Sequence, residues 1–160
     1  MKKLFTIGYE GAALADFLAL LDKENIDILL DIREAPVSRR KEFSKNALCE
    51  ALVEFDIEYR HEKSLGTPKV IRDKFRKEGD DKAFFEAFNR HLQKQKLLLQ
   101  KLAGELSGNI ALMCYEKDHN LCHRSSVANA LGEILNLLPE HLEVNNNELR
   151  ETHQMSFLNF

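Results

Sequence analysis

The sequence has no long apolar segment. None of its hydrophobic runs approaches the roughly 18 consecutive apolar residues that a membrane-spanning helix needs. The first residues, Met1-Lys2-Lys3, lead directly into a strand-like segment, whereas a secretory signal would place an apolar helix there. We therefore expect a cytoplasmic protein with no membrane partner.

The chain also has few cysteines and no large excess of charge of either sign. Its three cysteines are predicted to be reduced thiols with a ligand, catalytic or packing role, so a structural disulfide is not expected. Cys49 lies beside the apolar face of a predicted helix and is expected to be buried. The net charge of −3 does not require a nucleic-acid or membrane partner, and nothing in the composition predicts the oligomeric state.

Internal repeats and low-complexity linkers are absent as well. A chain of 160 residues with 44% hydrophobic residues is long enough to bury one core, which predicts a single domain over residues 1–160. The tail, about residues 145–160, is weakly specified. Its apolar side chains are available for docking on the domain or on a partner: Met155, Phe157, Leu158 and Phe160.

Strand-like and helix-like segments alternate along the chain. Apolar runs typical of strands occupy 4–7, 26–32, 57–61 and 109–114, with 141–144 as a fifth candidate, and the segments between them have helical spacing. This order predicts a three-layer α/β/α domain with a mostly parallel sheet of four to five strands. The connection over 62–81 is predicted to be a long polar binding loop or lid, and 82–106 one continuous helix.

Polar residues follow each predicted strand, and in a parallel sheet the strand carboxyl ends share one edge. We expect a site at that edge, although a solvated rim without function is the alternative. The candidate catalytic residues are Glu10, Asp31, His61, Glu116, Cys122 and His123. The candidate substrate- or anion-binding residues are Gly8, Tyr9, Gly11, Arg33, Ser38, Arg39 and Arg124.

The acids and arginines of this set have two interpretations. Glu10, Asp31 and Glu116 can hold a hard divalent cation such as Mg²⁺, or they can act as general acid and base. The arginines can bind phosphate or carboxylate oxygens in a bidentate manner. Equally, acids and arginines can neutralise one another in structural ion pairs.

The turn GYEG after the first strand has two glycines that permit a tight turn and a close backbone approach. The helix that follows offers free N–H groups to an anion. The turn lacks the full spacing of a dinucleotide-binding motif, so it predicts anion binding only weakly.

The segment MCYEKDHNLCHRSS contains four residues of the types that bind zinc: Cys114, His119, Cys122 and His123. Their spacing, C-x4-H-x2-C-H, lacks the paired knuckles of zinc sites, so zinc is not expected and no metal ligand is assigned. Cys122 and His123 instead stand at the start of a predicted helix, where the helix dipole and Arg124 favour a thiolate nucleophile. Cys114 ends an apolar run, which favours a buried strand residue.

Four segments occur in order between about Leu4 and Leu131: TIGYEG, LLDIREAPVSRRKEFSK, YRHEKSLG and CYEKDHNLCHR. They resemble the motifs of the domain-of-unknown-function family DUF488. The resemblance implies a single α/β domain and supplies no activity. The positions that match the family pattern are Gly8, Tyr9, Glu10, Asp31, Arg33, Pro36, Ser38, Arg39, His61, Leu65, Gly66, Cys114, Glu116, Cys122, His123 and Arg124.

A weaker likeness is to rhodanese-type sulfurtransferases and cysteine phosphatases, in which a strand ends in a catalytic cysteine and an arginine opens the next helix. ALMC…HRSSVANAL is similar to that layout. However, nine residues separate Cys114 from Arg124 and one separates Cys122 from Arg124. Neither spacing closes the same anion cradle, so that mechanism is not carried over.

Three functional hypotheses follow. The first is an enzyme that acts on a phosphate-bearing substrate, a nucleotide or nucleic acid, with the acids positioning a metal ion or water and a histidine moving a proton. The second is a sulfur- or acyl-transfer enzyme with Cys122 as nucleophile. The third is a non-catalytic module that binds a nucleotide, another anion or a partner. We favour the first, because acids, arginines and histidines that converge on one edge are typical of a reaction site.

Overall fold

The structure is a computed structural model, and it describes residues 2–146. The strands are β1 (Leu4–Gly8), β2 (Ile28–Asp31), β3 (Glu58–His61), β4 (Ile110–Cys114) and β5 (Glu140–Leu142). The helices are α1 (Leu14–Lys23), α2 (Lys45–Val53), α3 (Lys69–Glu78), α4 (Asp81–Gln93), α5 (Lys96–Glu105) and α6 (Arg124–Leu135). Short 3₁₀ turns cover Lys41–Phe43, Lys63–Leu65 and His119–Leu121.

The five strands form one parallel sheet in the order β3-β2-β4-β1-β5. Because β4 lies between β1 and β2, strand ends from three distant parts of the chain become neighbours. Gly8 pairs with Cys114, and Asp31 pairs with Met113. The predicted three-layer α/β/α architecture is confirmed, and the strand order brings the ends of β1, β2 and β4 together.

Alternate strand residues face two separate cores. Leu30 and Leu112 pack with residues of α4, α5 and α6 on one side of the sheet. Leu29 and Met113 pack with residues of α1 and α2 on the other side. Strands buried on both faces appear in sequence as continuous apolar runs, which is why the strands were predictable. Each fully buried Leu or Phe contributes about 1.5–3 kcal/mol to folding.

The prediction of a long loop over 62–81 is wrong, because α3 occupies Lys69–Glu78. Seven of its ten residues are charged and none is buried, so its sequence has the composition of a polar loop. Gly79 ends the helix with φ +65°, a left-handed conformation that favours glycine. The segment predicted as a loop therefore carries a regular helix beside the edge of the sheet.

The single helix predicted over 82–106 is also wrong, because α4 and α5 are separated at Lys94 and Gln95. A straight helix over 82–106 would be about 37 Å long. The strands are only three to five residues long, or about 17 Å at most. The break lets Phe88 of α4 and Leu99 of α5 enter the same core.

Three further expectations concern surface segments. Cys49 is exposed, contrary to the prediction, because α2 buries only Leu48 and Leu52. Among residues 2–146, no helix is both long and apolar enough to cross a membrane. Asn146 hydrogen-bonds to the backbone of Gly11 and Ala13, whereas the predicted docking residues of the tail lie outside the described residues.

Candidate functional site

A cleft of about 710 Å³ lies over the carboxyl ends of β1, β2 and β4. Cys114, Glu116 and His123 line it, and two of these three, Cys114 and His123, are almost fully buried. The arginines that line it are Arg33, Arg39, Arg40, Arg72 and Arg76. Ser38 and Tyr9 contribute to the same cleft. The predicted edge of the sheet therefore does carry a concave, basic surface.

The end of β2 holds a closed network of polar side chains, which we call the carboxylate network: Asp31, Arg33, Tyr59 and Tyr9. Arg33 donates to both oxygens of Asp31, from Nε at 2.9 Å and from Nη2 at 2.6 Å. Tyr59 donates to Asp31 Oδ2 at 2.5 Å. Arg33 Nη1 also contacts Tyr9 Oη at 3.2 Å and donates to the carbonyl of Phe43 at 2.8 Å. Asp31 and Arg33 thus have little hydrogen-bonding capacity left for a metal ion or a substrate.

The protonation of the carboxylate network follows from its burial and its charges. Burial raises the pKa of Tyr59, and the hydrogen bond and charge of Asp31 raise it further. Burial alone would lower the pKa of Arg33, but the hydrogen bond and charge of Asp31 outweigh it, so the pKa is raised. Asp31 and Arg33 therefore form the structural ion pair that was one of the two interpretations of these residues.

The three predicted carboxylates do not meet at one point. Glu10 is exposed, and its Oε1 accepts from the backbone N–H of Lys117 at 3.1 Å. Glu116 is partly buried, and its Oε2 lies 3.2 Å from the sulfur of Cys114. Burial raises the pKa of Glu116, and the charge of Glu10 adds to this, while Arg124 acts in the opposite direction. Asp31 belongs to the carboxylate network, so these acids do not form a shared Mg²⁺ site.

Within residues 2–146, one group of side chains is spaced to share a cation, and it is built on sulfur. The ligand atoms of Cys114, Cys122 and His123, here called the sulfur cluster, lie within 4.8 Å of one another. The sulfur atoms of Cys114 and Cys122 are in contact, because the end of β4 and the residues before α6 turn both side chains toward one point. The expectation that both are free thiols stays a prediction, since their Cα atoms are farther apart than a disulfide spans.

The backbones of this pair stand unusually far apart. The Cα atoms of Cys114 and Cys122 are 7.6 Å apart, whereas disulfides span about 4.4–6.8 Å. Each of the two cysteines has only 1% of its surface exposed, and Cys114 is the one that lines the cleft. The assignment of Cys122 as the nucleophile stays a prediction.

His123 is buried and has one hydrogen-bonded nitrogen. Its Nε2 lies 3.2 Å from the carbonyl oxygen of Ile32, which requires the proton to be on Nε2. Its Nδ1 then carries the lone pair and lies 3.7 Å from the sulfur of Cys122. Burial lowers the pKa of His123 to about 4, so the ring is neutral near pH 7.

Arg124 is fully buried and does not face the cleft as a free cation. Its Nη2 donates to the carbonyl of Lys117 at 3.0 Å, and Nη1 donates to the carbonyl of Glu116 and to the sulfur of Cys114 at 3.4 Å. Its Nε donates to Thr6 at 3.2 Å. No carboxylate of residues 2–146 lies within ion-pair distance of Arg124. Burial lowers its pKa, and its hydrogen bonds hold the loop after β4 in place.

The loop between Cys114 and Arg124 differs from an anion cradle. In the phosphatase-like layout, backbone N–H groups surround an anion and the arginine completes the ring. Here the loop turns the carbonyl oxygens of Glu116 and Lys117 toward Arg124. Only glycine fits at position 8 beside these carbonyl oxygens, because a Cβ there would collide with the carbonyl of Glu116 and with Arg124.

The arginines of the cleft differ in how far their charges are already paired. Arg40 pairs with Glu42 at 2.9 Å and Arg72 pairs with Glu34 at 2.8 Å. The ion pair of Arg76, with Asp73, is longer at 3.7 Å. Arg39 is exposed and makes no ion pair or hydrogen bond with the part of the chain that the structure describes. Arg39 is thus the cleft arginine most available to a ligand.

The loop that carries Arg39 is held by two serines. The backbone N–H of Ser38 donates to Ser44 Oγ at 3.0 Å, and Ser38 Oγ accepts from the N–H of Arg40 at 3.1 Å. Ser44 occupies the N-cap position of α2, but its hydroxyl hydrogen-bonds within this loop instead of to the helix. Ser38 therefore acts on the cleft partly by shaping the loop.

The remaining predicted residues take supporting positions. The ring of Tyr9 stacks on Phe43 with centroids 4.6 Å apart. Gly11 has φ +70°, so its backbone conformation favours glycine, although nothing crowds its Cβ position. His61 Nε2 hydrogen-bonds to the carbonyl of Arg33 at 2.7 Å, and His61 does not line the cleft.

Three arginines of the cleft were missed by the sequence analysis: Arg40, Arg72 and Arg76. Arg72 and Arg76 are four residues apart on α3, which places them on one face of that helix. That spacing was visible in the sequence but uninformative while the segment was taken for a loop. Arg40 lies next to Arg39 in a predicted loop. In a loop, the sequence predicts neither the direction in which a side chain points nor its ion-pair partner.

Comparison with known proteins gives a family and no activity. The family model described as Domain of unknown function DUF488 matches residues 13–131, about three quarters of the chain. The match includes the ends of β2, β3 and β4 and begins just after the GYEG turn. No curated protein and no solved structure matches the chain.

Proposed function

The chain belongs to the DUF488 family, and on that premise we propose that it is an enzyme acting on a phosphate-bearing small molecule of about nucleotide size. The observation that carries the proposal is the position of Arg39. This unpaired, exposed cation lies on the rim of a cleft whose buried part contains Cys114 and Glu116.

The charges around the cleft support an anionic ligand. Arg39 supplies a guanidinium whose donors are unused by residues 2–146, and Arg76 has only a long ion pair on its own helix. A guanidinium matches the geometry of phosphate oxygens and can bind two of them at once. Arg40 and Arg72 add positive charge but already pair with acids. A phosphate group is therefore assigned to the Arg39 side of the cleft.

The size of the cleft favours a small molecule over a polymer. Ligand sites commonly have volumes of about 300–1,000 Å³, and the cleft has about 710 Å³. The formal net charge of −3 gives the chain as a whole no attraction to a nucleic-acid backbone. We therefore favour a nucleotide or a similar phosphate ester, with a short oligonucleotide as the competing ligand in the test.

Glu116 is the residue of the cleft best suited to proton transfer. Its carboxyl group is partly buried, and burial raises its pKa toward the range in which a carboxyl group can act as a general acid. It lies beside the sulfur of Cys114, so the reacting bond is assigned to the space above these two side chains. Asp31 and Arg33 are assigned a structural role in the carboxylate network.

The proposal is tested by measuring ligand binding with Arg39→Ala and with Arg90→Ala as a matched control. Arg90 is an exposed arginine on α4 that does not line the cleft. The ligands are inorganic pyrophosphate, a set of mononucleotides and sugar phosphates, and a short oligonucleotide. Arg39→Ala is expected to weaken phosphate-dependent binding about tenfold or more, because a hydrogen-bonded charge pair contributes about 1.5–3 kcal/mol. Arg90→Ala is expected to bind like the wild type.

Turnover of each bound compound then separates an enzyme from a binding module. Loss of turnover in Glu116→Gln, with binding retained, supports the enzyme. Binding without turnover in the wild type would instead favour the non-catalytic module. Equal binding by Arg39→Ala and the wild type, or binding of the oligonucleotide alone, would contradict the proposed site or substrate.

Cysteine-dependent sulfur or acyl transfer is the second candidate, with Cys114 as nucleophile. It is favoured by the hydrogen bond from the buried guanidinium of Arg124 to the sulfur of Cys114. A cation in this position stabilises a thiolate, which is the reactive form of cysteine. In the reduced, metal-free protein, the alkylation rate of Cys114 should level off at a lower pH than that of the exposed Cys49, because more of Cys114 is then thiolate. Alkylation rates that rise with pH in the same way for both cysteines would count against this candidate.

A further inference from the structure

We propose that, in its reduced form, the chain binds one Zn²⁺-type cation through the sulfur atoms of Cys114 and Cys122 and through Nδ1 of His123. The sequence offers four candidate zinc ligands, including His119, and their spacing does not match that of known zinc sites. In the structure His119 stacks on His141 with ring centroids 3.7 Å apart, away from this ligand set. The three remaining ligands form a compact, buried group of the types that zinc prefers.

The distance between the sulfur of Cys122 and the nitrogen of His123 fits a tetrahedral ion, and the sulfur of Cys114 must move away from that of Cys122 to complete it. Zinc binds sulfur at about 2.3 Å and nitrogen at about 2.0 Å, so a sulfur and a nitrogen on the same ion lie about 3.5 Å apart. Cys122 Sγ and His123 Nδ1 are 3.7 Å apart. The Cα separation of Cys114 and Cys122, 7.6 Å, is wider than a disulfide requires and leaves room for the two sulfur atoms to move apart around an ion.

The surroundings of His123 are those of a metal ligand. A histidine that binds a metal through one nitrogen usually donates its other N–H to a carbonyl or carboxylate, which fixes the ring and the tautomer. The Nε2 of His123 lies 3.2 Å from the carbonyl of Ile32, and Nδ1 faces the sulfur of Cys122. Since Nδ1 has no oxygen acceptor or N–H donor among residues 2–146, its lone pair is available to an ion.

The local charges are also compatible with a divalent cation. Two thiolates and Zn²⁺ are together neutral, and the charge of Arg124 is opposed by that of Glu116 when the latter is ionised. Arg124 donates to the sulfur of Cys114 from its guanidinium and to the sulfur of Cys122 from its backbone N–H. Such hydrogen bonds stabilise metal-bound thiolates.

The fourth position of the ion would face the cleft. Cys114 and His123 both line it, and Glu116 Oε2 lies 3.2 Å from the sulfur of Cys114. Three protein ligands and one open position are the arrangement of catalytic zinc sites, whereas structural sites have four protein ligands. The position is open to water, to Glu116 or to a ligand in the cleft.

Binding requires both cysteines to be thiols, which a phosphine reductant in the buffer maintains. The two thiols release two protons as they bind Zn²⁺. Oxidation of the two sulfur atoms therefore competes with metal binding.

The test is a titration of the reduced full-length chain with Co²⁺, followed by displacement with Zn²⁺. One equivalent of Co²⁺ should produce thiolate-to-cobalt charge-transfer absorption and the intense visible bands of a four-coordinate ion, and Zn²⁺ should abolish both. Cys122→Ser should lose the charge-transfer absorption that reports two thiolates. His123→Ala should weaken binding by about tenfold or more. Circular dichroism checks that each variant is folded.

Cys49→Ser is the matched control, because Cys49 is an exposed cysteine remote from the sulfur cluster. It should bind Co²⁺ as the wild type does. A reduced wild-type chain with no charge-transfer absorption, or one whose spectrum is unchanged by Cys122→Ser, would overturn the proposal. Arg39→Ala should retain the metal. Phosphate binding that Arg39→Ala leaves unchanged therefore contradicts the proposed function alone, and a reduced wild-type chain that binds no metal contradicts this inference alone.

Discussion

The carboxyl ends of β2 and β4 lie side by side in the sheet, but their polar residues are used in different ways. At the end of β2, Asp31 and Arg33 satisfy each other and are further bonded by Tyr59 and Tyr9. At the end of β4, two sulfurs converge beside a neutral histidine and a buried arginine that has no carboxylate partner within residues 2–146. The first region is closed by its own contacts, whereas the second has capacity for a ligand.

The difference shows why residue type alone does not identify a reactive group. Asp31 and Arg33 are the residue types that most often carry phosphate chemistry, yet their contacts are internal. Cys114 has the appearance of a strand residue, yet it lines the cleft. What distinguishes the two strand ends is the remaining hydrogen-bonding or ligating capacity of each group, and this is set by neighbours that are distant in sequence.

Removing the acid of the closed region should have the largest effect on stability. Asp31→Ala leaves the buried guanidinium of Arg33 without its carboxylate, which costs about 3–5 kcal/mol. Urea unfolding would measure the change. Glu42→Ala is the control, because it breaks the more exposed pair with Arg40 and should cost less than about 1 kcal/mol. Similar losses in both variants would contradict the structural role of Asp31.

Acid should weaken the β4 region through His123. The pKa of His123 is about 4 in the folded protein and about 6.5 in the unfolded chain, so only the unfolded chain takes up this proton between those values. The stabilisation by neutral His123 is therefore complete above pH 6.5. As the pH falls from 6.5 toward 4, the free energy of unfolding decreases by about 3 kcal/mol.

The measurement is urea unfolding of the metal-free protein as a function of pH. His123→Gln removes this titration, so its free energy of unfolding should fall less than that of the wild type between pH 6.5 and 4. Parallel curves for the two proteins would show that His123 is not buried as a neutral ring.

Two glycines of the GYEG turn should respond differently to alanine. Gly8→Ala places a methyl group against the carbonyl of Glu116 and against Arg124, which should cost about 2 kcal/mol and disturb the β4 end. Gly11→Ala meets no neighbour and strains only a backbone with φ +70°, which should cost about 1 kcal/mol. Thermal unfolding measures both changes. A larger loss for Gly11→Ala would contradict the close approach at Gly8.

The smallest effect on stability is expected at the rim of the cleft. Arg39→Ala should change the free energy of unfolding by less than about 0.5 kcal/mol, because Arg39 is exposed and has no ion pair within residues 2–146. A urea titration of the variant beside Arg90→Ala measures this. A loss above 1 kcal/mol would mean that Arg39 is held by the fold and is not free for a ligand.

The fold was largely predictable from the sequence because buried parallel strands leave continuous apolar runs. The strands β1, β2 and β4 follow from such runs at 4–7, 26–32 and 109–114, whereas the edge strands β3 and β5 are short, largely polar and less buried. The helix α3 was missed because seven of its ten residues are charged, a composition typical of a loop, although Ile71 and Phe75 have the spacing of one helical face. The break between α4 and α5 was missed because it depends on the length of the strands that those helices cover.

The sequence predicted where the candidate site lies but not the role of each residue in it. The sequence predicts that strand ends carry ionisable residues to one edge of the sheet, and Arg39, Glu116 and His123 do lie at one cleft. It does not reveal that Arg124 folds back onto carbonyl oxygens, since that requires the path of the loop after β4. Nor does it reveal that Cys114, ten residues before Arg124, lines the same cleft.

The most direct test of the account is the location of a bound phosphate analogue. Crystals of the reduced chain soaked with tungstate, a phosphate analogue with strong anomalous scattering, would locate the anion without knowledge of the substrate. We predict one principal site in the cleft, contacted by Arg39 and lying above Cys114 and Glu116. Tungstate bound only outside the cleft, or bound equally well by crystals of Arg39→Ala, would contradict the central claim.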